Sequence, residues 1–285
     1  MSHPLFHPAF WPNGKKIAVS VLVMFETWSE GTAPTYSVQA TSLKSGNVSL
    51  GGASWSTYGG RSGVWRIIRT LDRHGIPATF FTNARCTEVY PEAISQIVKS
   101  GHDLGGHAYT QDGLLTYMEP DQERAVIRKS VDMLGSATGK APKGWLSPAQ
   151  AFTQHTEGFL AEAGLKWHSD VAYTDMPHIV KTAHGPIAAV PKSDFTDTRV
   201  LKSSPQDLVD VYTSTFDYLY RHEPMSMLTL TLHCHFGGRP MVIASFERLI
   251  AYFKQFPDVW FARHDELSEW AWQQQSESTY KTRFF

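Results

Sequence analysis

The chain has 285 residues, of which 42% are hydrophobic and 19% are charged, and its formal net charge is −1. This length allows one large domain or two small ones, and this composition excludes a wholly disordered protein. A charge so close to zero lacks the basic surface that nucleic-acid binders need. No apolar run approaches the roughly 18 residues of a membrane span, so neither nucleic acid nor a membrane is expected as a partner.

The beginning of the chain and its cysteines predict a reducing compartment. The first 16 residues, MSHPLFHPAFWPNGKK, have neither the basic start nor the apolar run of a secretory signal. The two cysteines, Cys86 and Cys234, are too few for a disulfide framework in a chain of this length. We therefore expect a cytoplasmic protein with reduced thiols, and the sequence assigns neither thiol a role.

Strand-like and helix-like segments alternate along the chain. Residues 15–26 (KKIAVSVLVMFE) form an apolar, β-branched run that predicts a buried strand. A polar stretch rich in glycine and serine follows over residues 27–60 and is long for a loop. Apolar spacing and flanking glycine or proline predict the other elements: helices at 61–75, 91–101, 120–139, 155–164, 205–222 and 244–256, and strands at 78–83, 102–108, 143–147, 166–172, 187–191, 226–234 and 259–264.

This alternation amounts to about seven β/α units. We find no break in composition and no internal repeat, so residues 1–285 are predicted to form a single domain with a short N-terminal arm and a C-terminal helix. The pattern favours an α/β fold with parallel strands closed as a distorted (β/α)7 barrel. An open doubly wound sheet is the alternative, although no glycine-rich dinucleotide motif supports it.

Polar side chains stand where the predicted strands end. In barrels of parallel strands the chemistry lies at the carboxyl ends of the strands, so these side chains are expected to share one rim. They are Glu26, Asn83, His107, Asp170, His233 and His235.

The order of several motifs resembles that of the polysaccharide deacetylases of the NodB-homology type, most closely their allantoinase-like branch. The resemblance covers nearly the whole chain and rests on MFETWSEG, YGGRSGVWR, ATFFTN, SGHDLGGHAYTQ, GWLSPA, HSDVAYTDMPH and LTLHCHFGGRP. It implies a distorted barrel of about seven β/α units, in agreement with the count of strands, and it suggests a homo-oligomer.

The chain departs from the family at the expected metal ligands. Where the family has two aspartates after the first strand, this chain has Glu26 and Thr27. The family's His-x-x-x-His pair is represented by His107 and Gln111, and a neutral amide is a poor zinc ligand. Leu146 stands where the family has an arginine. We therefore expect no cofactor, with a divalent metal such as zinc on Glu26, His107 and Gln111 as the alternative.

Three residues are predicted to be catalytic. Glu26 would orient or deprotonate water, the alternative being a structural carboxylate that holds the long loop. His107 would act as an acid/base, bind a metal, or hydrogen-bond the substrate and, with neighbouring amides, stabilise the tetrahedral oxyanion. His233 would protonate the leaving nitrogen, since an amide anion is a very poor leaving group, and a histidine of the core is its alternative.

A second set of residues is predicted to hold a small-molecule substrate. Arg61 could bind an anionic or carbonyl group, and an aromatic cluster could wall a slot for a flat ring. Core packing is the favoured alternative for Trp65, and surface packing is an equal alternative for the aromatic residues of the long loop. The predicted binding set is Trp28, Tyr58, Arg61, Trp65, Asp170, His235 and Arg239.

These predictions combine into a hydrolase of carbon–nitrogen bonds other than peptide bonds. The main hypothesis is ring opening of small cyclic amides, such as imides, hydantoins or ureides. A metal-dependent carbohydrate N-deacetylase is the alternative, and a catalytically silent small-molecule-binding relative is the third.

Overall fold

A computed structural model describes residues 10–39, 43–44, 46–193, 195–200 and 204–274 of the chain. The first nine residues of the predicted N-terminal arm therefore lie outside the described residues. Among the described residues, no helix is long and apolar enough to cross a membrane.

The first strand lies at the centre of the sheet. Strand β1 (Ile17–Phe25) is buried along its whole length, as its continuous apolar run predicts. It pairs in parallel with β2 (Ala78–Thr82) on one side and with β8 (Ser226–His233) on the other. The register places Phe25 opposite Thr82 and Met24 opposite His233. The residues that follow these three strands therefore meet at the same edge.

The sheet continues in one curved layer beyond β2. Its remaining strands are β3 (Asp103–Gly106), β4 (Gly144–Trp145), β5 (Trp167–His168), β6 (His178–Thr182), β7 (Gly185–Ala189) and β9 (Val259–Phe261). The order across the sheet is β6-β7-β5-β4-β3-β2-β1-β8, and β9 pairs with the first residues of β1. All pairs are parallel except the β6–β7 hairpin. The distorted barrel predicted from the sequence is confirmed, in the form of a curled half-barrel.

Closure by strand pairing, which the sequence suggested, is wrong for the described part of the sheet. The two ends of the strand order, β8 and β6, are not hydrogen-bonded to each other. The β6–β7 hairpin, whose first strand was not predicted, lies at one open end. The gap is bridged instead by side chains: the Ser193 amide donates to Thr229 Oγ1 at 2.6 Å, and the Thr229 amide donates to Ser193 Oγ at 3.1 Å.

Helices surround the sheet and bury their apolar faces against it. They are α1 (Leu50–Tyr58), α2 (Val64–His74), α3 (Cys86–Val89), α4 (Pro91–Lys99), α5 (Pro120–Thr138), α6 (Thr156–Glu162), α7 (Asp197–Val200), α8 (Pro205–His222), α9 (Pro240–Phe253) and α10 (His264–Gln274). Helix α8 has its predicted bounds because Ser204 and Asp207 form a capping box around Pro205. Helix α2 ends as predicted, at the left-handed Gly75.

Two predicted element boundaries differ from those in the structure. Residues 27–60 were predicted to be a loop, yet the segment contains α1, whose helical periodicity is hidden by small and polar residues. The predicted helix 61–75 begins at Val64 because Gly59–Gly63 forms one π-helical turn that joins α1 to α2. Such π turns occur often at functional sites.

Candidate active site

Glu26 follows β1 directly and is the carboxylate at the centre of the site. It is 4% exposed, and three imidazoles surround it. Its Oε1 atom lies 3.7 Å from His107 Nε2 and 3.9 Å from His233 Nε2, and its Oε2 atom lies 3.4 Å from His235 Nδ1. The carboxyl ends of β1, β3 and β8 thus bring together the three residues that were predicted to be catalytic.

The charge of Glu26 depends on this imidazole shell. Burial alone would raise the pKa of its carboxyl, but His233, His107 and His235 together outweigh burial and lower the pKa to about 2. A buried carboxylate is costly unless it is paired, and here the pairing comes from histidine rather than from lysine or arginine. Glu26 is therefore ionised at neutral pH.

His107 follows β3 and is held in one orientation. Its Nδ1 donates to the Leu146 carbonyl at 2.5 Å, which leaves Nε2 turned towards Glu26. Asn83 ties this segment to the first strand, because its side-chain amide donates to the His107 carbonyl and its Oδ1 accepts from the Thr27 amide at 2.9 Å. Asn83, at the end of β2, therefore fixes the positions of Glu26 and His107 relative to each other.

His233, the last residue of β8, is paired with a carboxylate that the sequence did not single out. Its Nδ1 lies 2.6 Å from Asp197 Oδ1, and its backbone amide donates to Asp197 Oδ2 at 2.7 Å. Burial would lower the pKa of His233, but Asp197 and Glu26 on its two sides raise it to about 9. His233 is therefore an imidazolium at neutral pH, with its Nε2 atom 3.9 Å from Glu26 Oε1.

His235 lies behind Glu26, among aromatic rings, and does not line the cavity described below. It is 1% exposed, and burial lowers its pKa to about 3. Trp55 packs edge-on against its ring at 4.8 Å between centroids, and Trp28 packs on it at 5.3 Å. His235 is thus uncharged at neutral pH, and it adds positive charge beside Glu26 only in acid.

Glycines allow β8 to approach the π turn before α2. A Cβ atom on Gly63 would lie 1.8 Å from the Cys234 carbonyl oxygen, and one on Gly238 would lie 2.4 Å from Gly63 Cα. A side chain at either position would push the two segments apart. The glycines of YGGRSG and HFGGRP therefore set the position of the His233–His235 segment.

A cavity of about 490 Å³ opens beside the cluster of Glu26, His107 and His233. Glu26, His107 and His233 line it together with Gln111, Lys192 and residues of the long loop that include Tyr36 and Trp55. This volume suits a small ligand or one end of a longer one.

Several of the predicted substrate-binding residues lie elsewhere. Tyr58 and Arg66 are hydrogen-bonded partners, and Arg239 lies over the Tyr58 ring at 4.3 Å. Arg61 is exposed. Trp65 packs against the main hydrophobic core, which agrees with the core-packing alternative favoured for it from the sequence. None of Tyr58, Arg61, Trp65, Arg239 and Trp28 lines the cavity beside Glu26.

Asp170 occupies a different position from the one predicted. Its two oxygens accept from the Ser147 amide and hydroxyl, each at 2.8 Å. It lines a neighbouring cavity of about 670 Å³, bounded on one side by the β6–β7 hairpin. Burial raises its pKa to about 6. Asp170 thus positions the Ser147 segment, which forms part of the wall of the cavity beside Glu26.

The donor set does not fit a metal site of three strong ligands. Among the described residues, no group of three or more His, Cys, Asp or Glu side chains is placed to hold a metal ion. Gln111 lines the cavity, and its buried Oε1 has no hydrogen-bond partner, but an amide oxygen is a weak zinc ligand. Thr27 beside Glu26 adds a neutral hydroxyl instead of a second carboxylate. We therefore derive no step through a metal.

Comparison with known proteins connects this fold with a class of hydrolases. Residues 56–168 match the family model described as polysaccharide deacetylase, which confirms the resemblance inferred from the motifs. Members of that family are hydrolases acting on carbon–nitrogen bonds other than peptide bonds, so the predicted enzyme class is confirmed at that level.

Individual relatives agree with this class over most of the chain. A probable polysaccharide deacetylase from Pseudomonas aeruginosa PAO1 has a similar structure, with a TM-score of 0.84, 28% identity, and coverage of 96% of this chain and 95% of the other. The crystal structure of PuuE allantoinase gives a TM-score of 0.84 at 27% identity, with coverage of 98% and 96%. The peptidoglycan deacetylase of Helicobacter pylori is 23% identical over 248 residues, 74% of this chain and 84% of the relative.

Proposed function

We propose that this chain hydrolyses the carbon–nitrogen bond of a small non-peptide amide bound in the cavity beside Glu26. One observation carries the proposal: Glu26 Oε1 and His233 Nε2 face each other at 3.9 Å on the wall of one cavity. With pKa values of about 2 and about 9, the first group is a carboxylate and the second an imidazolium at neutral pH. These are the protonation states that a base and an acid need before the reaction.

The reaction needs one water and returns both groups to their starting states. Glu26 orients the water and takes one of its protons while the water oxygen attacks the carbonyl carbon. His233 Nε2 gives its proton to the leaving nitrogen as the carbon–nitrogen bond breaks, and Asp197 stabilises the imidazolium before that step. The proton on Glu26 then returns to His233.

The low pKa of Glu26 is compatible with a role as base because it depends on His233. Burial raises the pKa of Glu26, and the positive charge of His233 is the largest influence that opposes it. When His233 passes its proton to the leaving nitrogen, this attraction disappears, and Glu26 holds the proton that it took from water more firmly. The two proton transfers are therefore coupled through the 3.9 Å contact.

Two substrate classes fit this chemistry, and the relatives favour the alternative over the main hypothesis. The family model and most of the relatives' names point to N-acetylated carbohydrates. Ring opening of a cyclic amide or ureide is supported by the allantoinase structure at 27% identity and by Gln111 and Thr27 at the positions of the family's metal ligands. Both substrates are amides, so Glu26 and His233 would act on either in the same way.

The deciding experiment is a substrate panel with two catalytic variants. Purified protein would be tested on N-acetylglucosamine oligomers and on cyclic imides and ureides, with and without a chelator, and its bound metal would be measured by elemental mass spectrometry. Release of acetate identifies the deacetylase, and ring opening identifies the cyclic amidase. Loss of turnover in Glu26→Gln and His233→Asn, with Glu92→Gln as an exposed control, would tie either activity to this site.

The remaining expectations belong to the same proposal. A silent binding protein, the third hypothesis, would bind panel compounds unchanged in Glu26→Gln and would turn over none of them. A homo-oligomer and a cytoplasmic location stay predictions, which sedimentation and cell fractionation would check.

A further inference from the structure

We propose that Lys192 is the electrophilic catalyst of this site: its ammonium group stabilises the negative charge that forms on the carbonyl oxygen of the substrate. The inference rests on the proposed amide hydrolysis and adds to it a residue that neither the motifs nor the relatives single out.

Amide hydrolysis is accelerated by hydrogen-bond donors and by positive charge placed where the carbonyl oxygen becomes an oxyanion. The neutral side chains of Thr27 and Gln111 beside Glu26 and His107 do not supply it, and the positive charge of His233 is needed at the leaving nitrogen. A cationic group on the cavity wall would add this positive charge to the hydrogen bonds that His107 and neighbouring amides can donate.

Two side chains with a lasting positive charge line the cavity in the described part of the chain, Lys192 and Arg199. Arg199 is exposed to solvent on the short helix α7, where water weakens its field. Lys192 is half-buried, on the segment that follows β7. The same charge acts more strongly from this less solvated position.

The backbone on both sides of Lys192 is anchored, which fixes the place from which its side chain enters the cavity. The Val190 amide donates to the His168 carbonyl at 2.8 Å, and the Ser169 hydroxyl donates to the Val190 carbonyl at 2.6 Å. Ser193 makes its two hydrogen bonds with Thr229 across the open side of the barrel. The segment that carries Lys192 thus runs from the end of β5 to β8, across the open side of the barrel.

The charges around Lys192 agree with this placement. Burial lowers the pKa of His233, whereas Asp197 and Glu26 raise it. Lys192 acts in the same direction as burial and lowers it. Burial raises the pKa of Asp170, and Lys192 is among the groups that lower it. Lys192 is therefore close enough to influence both Asp170, after β5, and His233, at the end of β8.

The proposal requires no covalent step by Lys192. The ammonium keeps its protons and donates a hydrogen bond to the carbonyl oxygen, whose negative charge grows as water attacks. When the carbon–nitrogen bond breaks, the carbonyl forms again and the charge on its oxygen disappears.

The test compares Lys192→Met with Lys143→Met, an exposed lysine just before β4 at the opposite end of the barrel. On the substrate identified by the panel, Lys192→Met is expected to lower kcat by roughly 10²–10³-fold, the usual loss for one oxyanion donor, with KM unchanged. Lys143→Met should match the wild type. Lys192→Ala should regain turnover in a saturable way when ethylammonium is added, because the small cation can occupy the vacated space.

A structural role for Lys192 would give different results. Lowered thermal stability with no rescue by ethylammonium, a rise in KM alone, or a larger kcat loss in Arg199→Met would each overturn the inference. Lys192→Arg keeps the charge and serves as the second variant if Lys192→Met does not fold. It should retain more activity than a Lys192→Gln variant of equal stability, and equal activities would count against the proposal.

The failure of this inference can be told apart from failure of the proposed function. If Glu26→Gln and His233→Asn abolish turnover while Lys192→Met keeps it, the hydrolase stands and Lys192 is not its electrophile. If the wild type hydrolyses none of the amides, both proposals fall together.

Discussion

Asp197 Oδ1 lies 2.6 Å from His233 Nδ1, and the same aspartate accepts the His233 backbone amide through its other oxygen. One buried carboxylate thus fixes both the tautomer and the main-chain position of the proposed acid. The other ring nitrogen, Nε2, lies 3.9 Å from Glu26 Oε1, and both residues line the cavity. A histidine held in this way between two carboxylates has a pKa well above the ordinary value for imidazole, so it stays protonated at neutral pH.

Asp197→Asn tests this arrangement. Asp197 contributes most to raising the pKa of His233 against burial, so its loss should move the basic limb of the kcat profile from about 9 to lower pH. We expect kcat at neutral pH to fall by roughly 10²–10⁴-fold, the range typical of general acid catalysis and its orienting groups. A pH–rate profile of the variant measures both effects. Asp175→Asn, an exposed aspartate, is the control, and an unmoved basic limb in Asp197→Asn would contradict the assignment.

The pH dependence of the wild-type activity follows from the same pair. Glu26 must be ionised and His233 protonated, which holds between pKa values of about 2 and about 9. Turnover should therefore be level across neutral pH and fall as the pH rises through about 9. Steady-state kinetics in overlapping buffers check this, and a basic limb near the ordinary imidazole value of 6.5 would show that His233 is not held between the two carboxylates.

Glu26→Gln should abolish turnover and leave binding intact. The amide side chain has nearly the same shape but cannot take a proton from water, so the loss should fall on kcat, by roughly 10²–10⁴-fold. Isothermal titration with a slowly turned-over substrate or a product would measure the binding. A Glu26→Gln protein that retains wild-type kcat would refute the role of Glu26 as base.

Acid should destabilise the fold through buried histidines. Burial lowers the pKa of His168, His235 and His264 from the ordinary 6.5 to about 3. A group whose pKa is lower in the folded than in the unfolded protein contributes its full stability at pH values above the unfolded pKa. This contribution is lost as the pH falls from 6.5 towards 3. Urea unfolding at a series of pH values should show the free energy of unfolding falling across this range. His264→Asn should make the slope shallower, whereas the exposed His155→Asn should not change it.

Gly63→Ala should damage both stability and activity. The added Cβ would overlap the Cys234 carbonyl oxygen, so the π turn and the end of β8 must separate, at a cost of about 1–3 kcal/mol. Because Cys234 lies between His233 and His235, kcat should fall as well. The matched control is Gly158→Ala in helix α6, where the nearest atom to the new Cβ is 3.4 Å away and no loss is expected. The free energy of unfolding and kcat would be measured for both variants and compared with those of the wild type.

The sequence by itself determined the alternation of strands and helices and that Glu26, His107 and His233 lie at the carboxyl ends of strands of one sheet. Strand β1 is a continuous apolar run and α8 has an explicit capping box, so local patterns were enough to place them. Glu26, His107 and His233 could be found because each follows a strand whose carboxyl end must lie at the shared edge. This rule needs only the order of the strands, which the sequence contains.

Only the tertiary structure decided which partners these residues have. Asp197 lies 36 residues before His233, in the segment DFTDTRV, which has no periodicity that would mark it as part of the site. Tyr58, Arg61 and Trp65 lie close in sequence to the long loop that lines the cavity, yet the π turn and α2 direct them away from it. Lys192 lies at the cavity because the segment after β7 crosses the open side of the barrel to β8, where Ser193 and Thr229 are hydrogen-bonded to each other. Contacts of this kind depend on how distant segments cross in space, and hydrophobic periodicity carries no information about that.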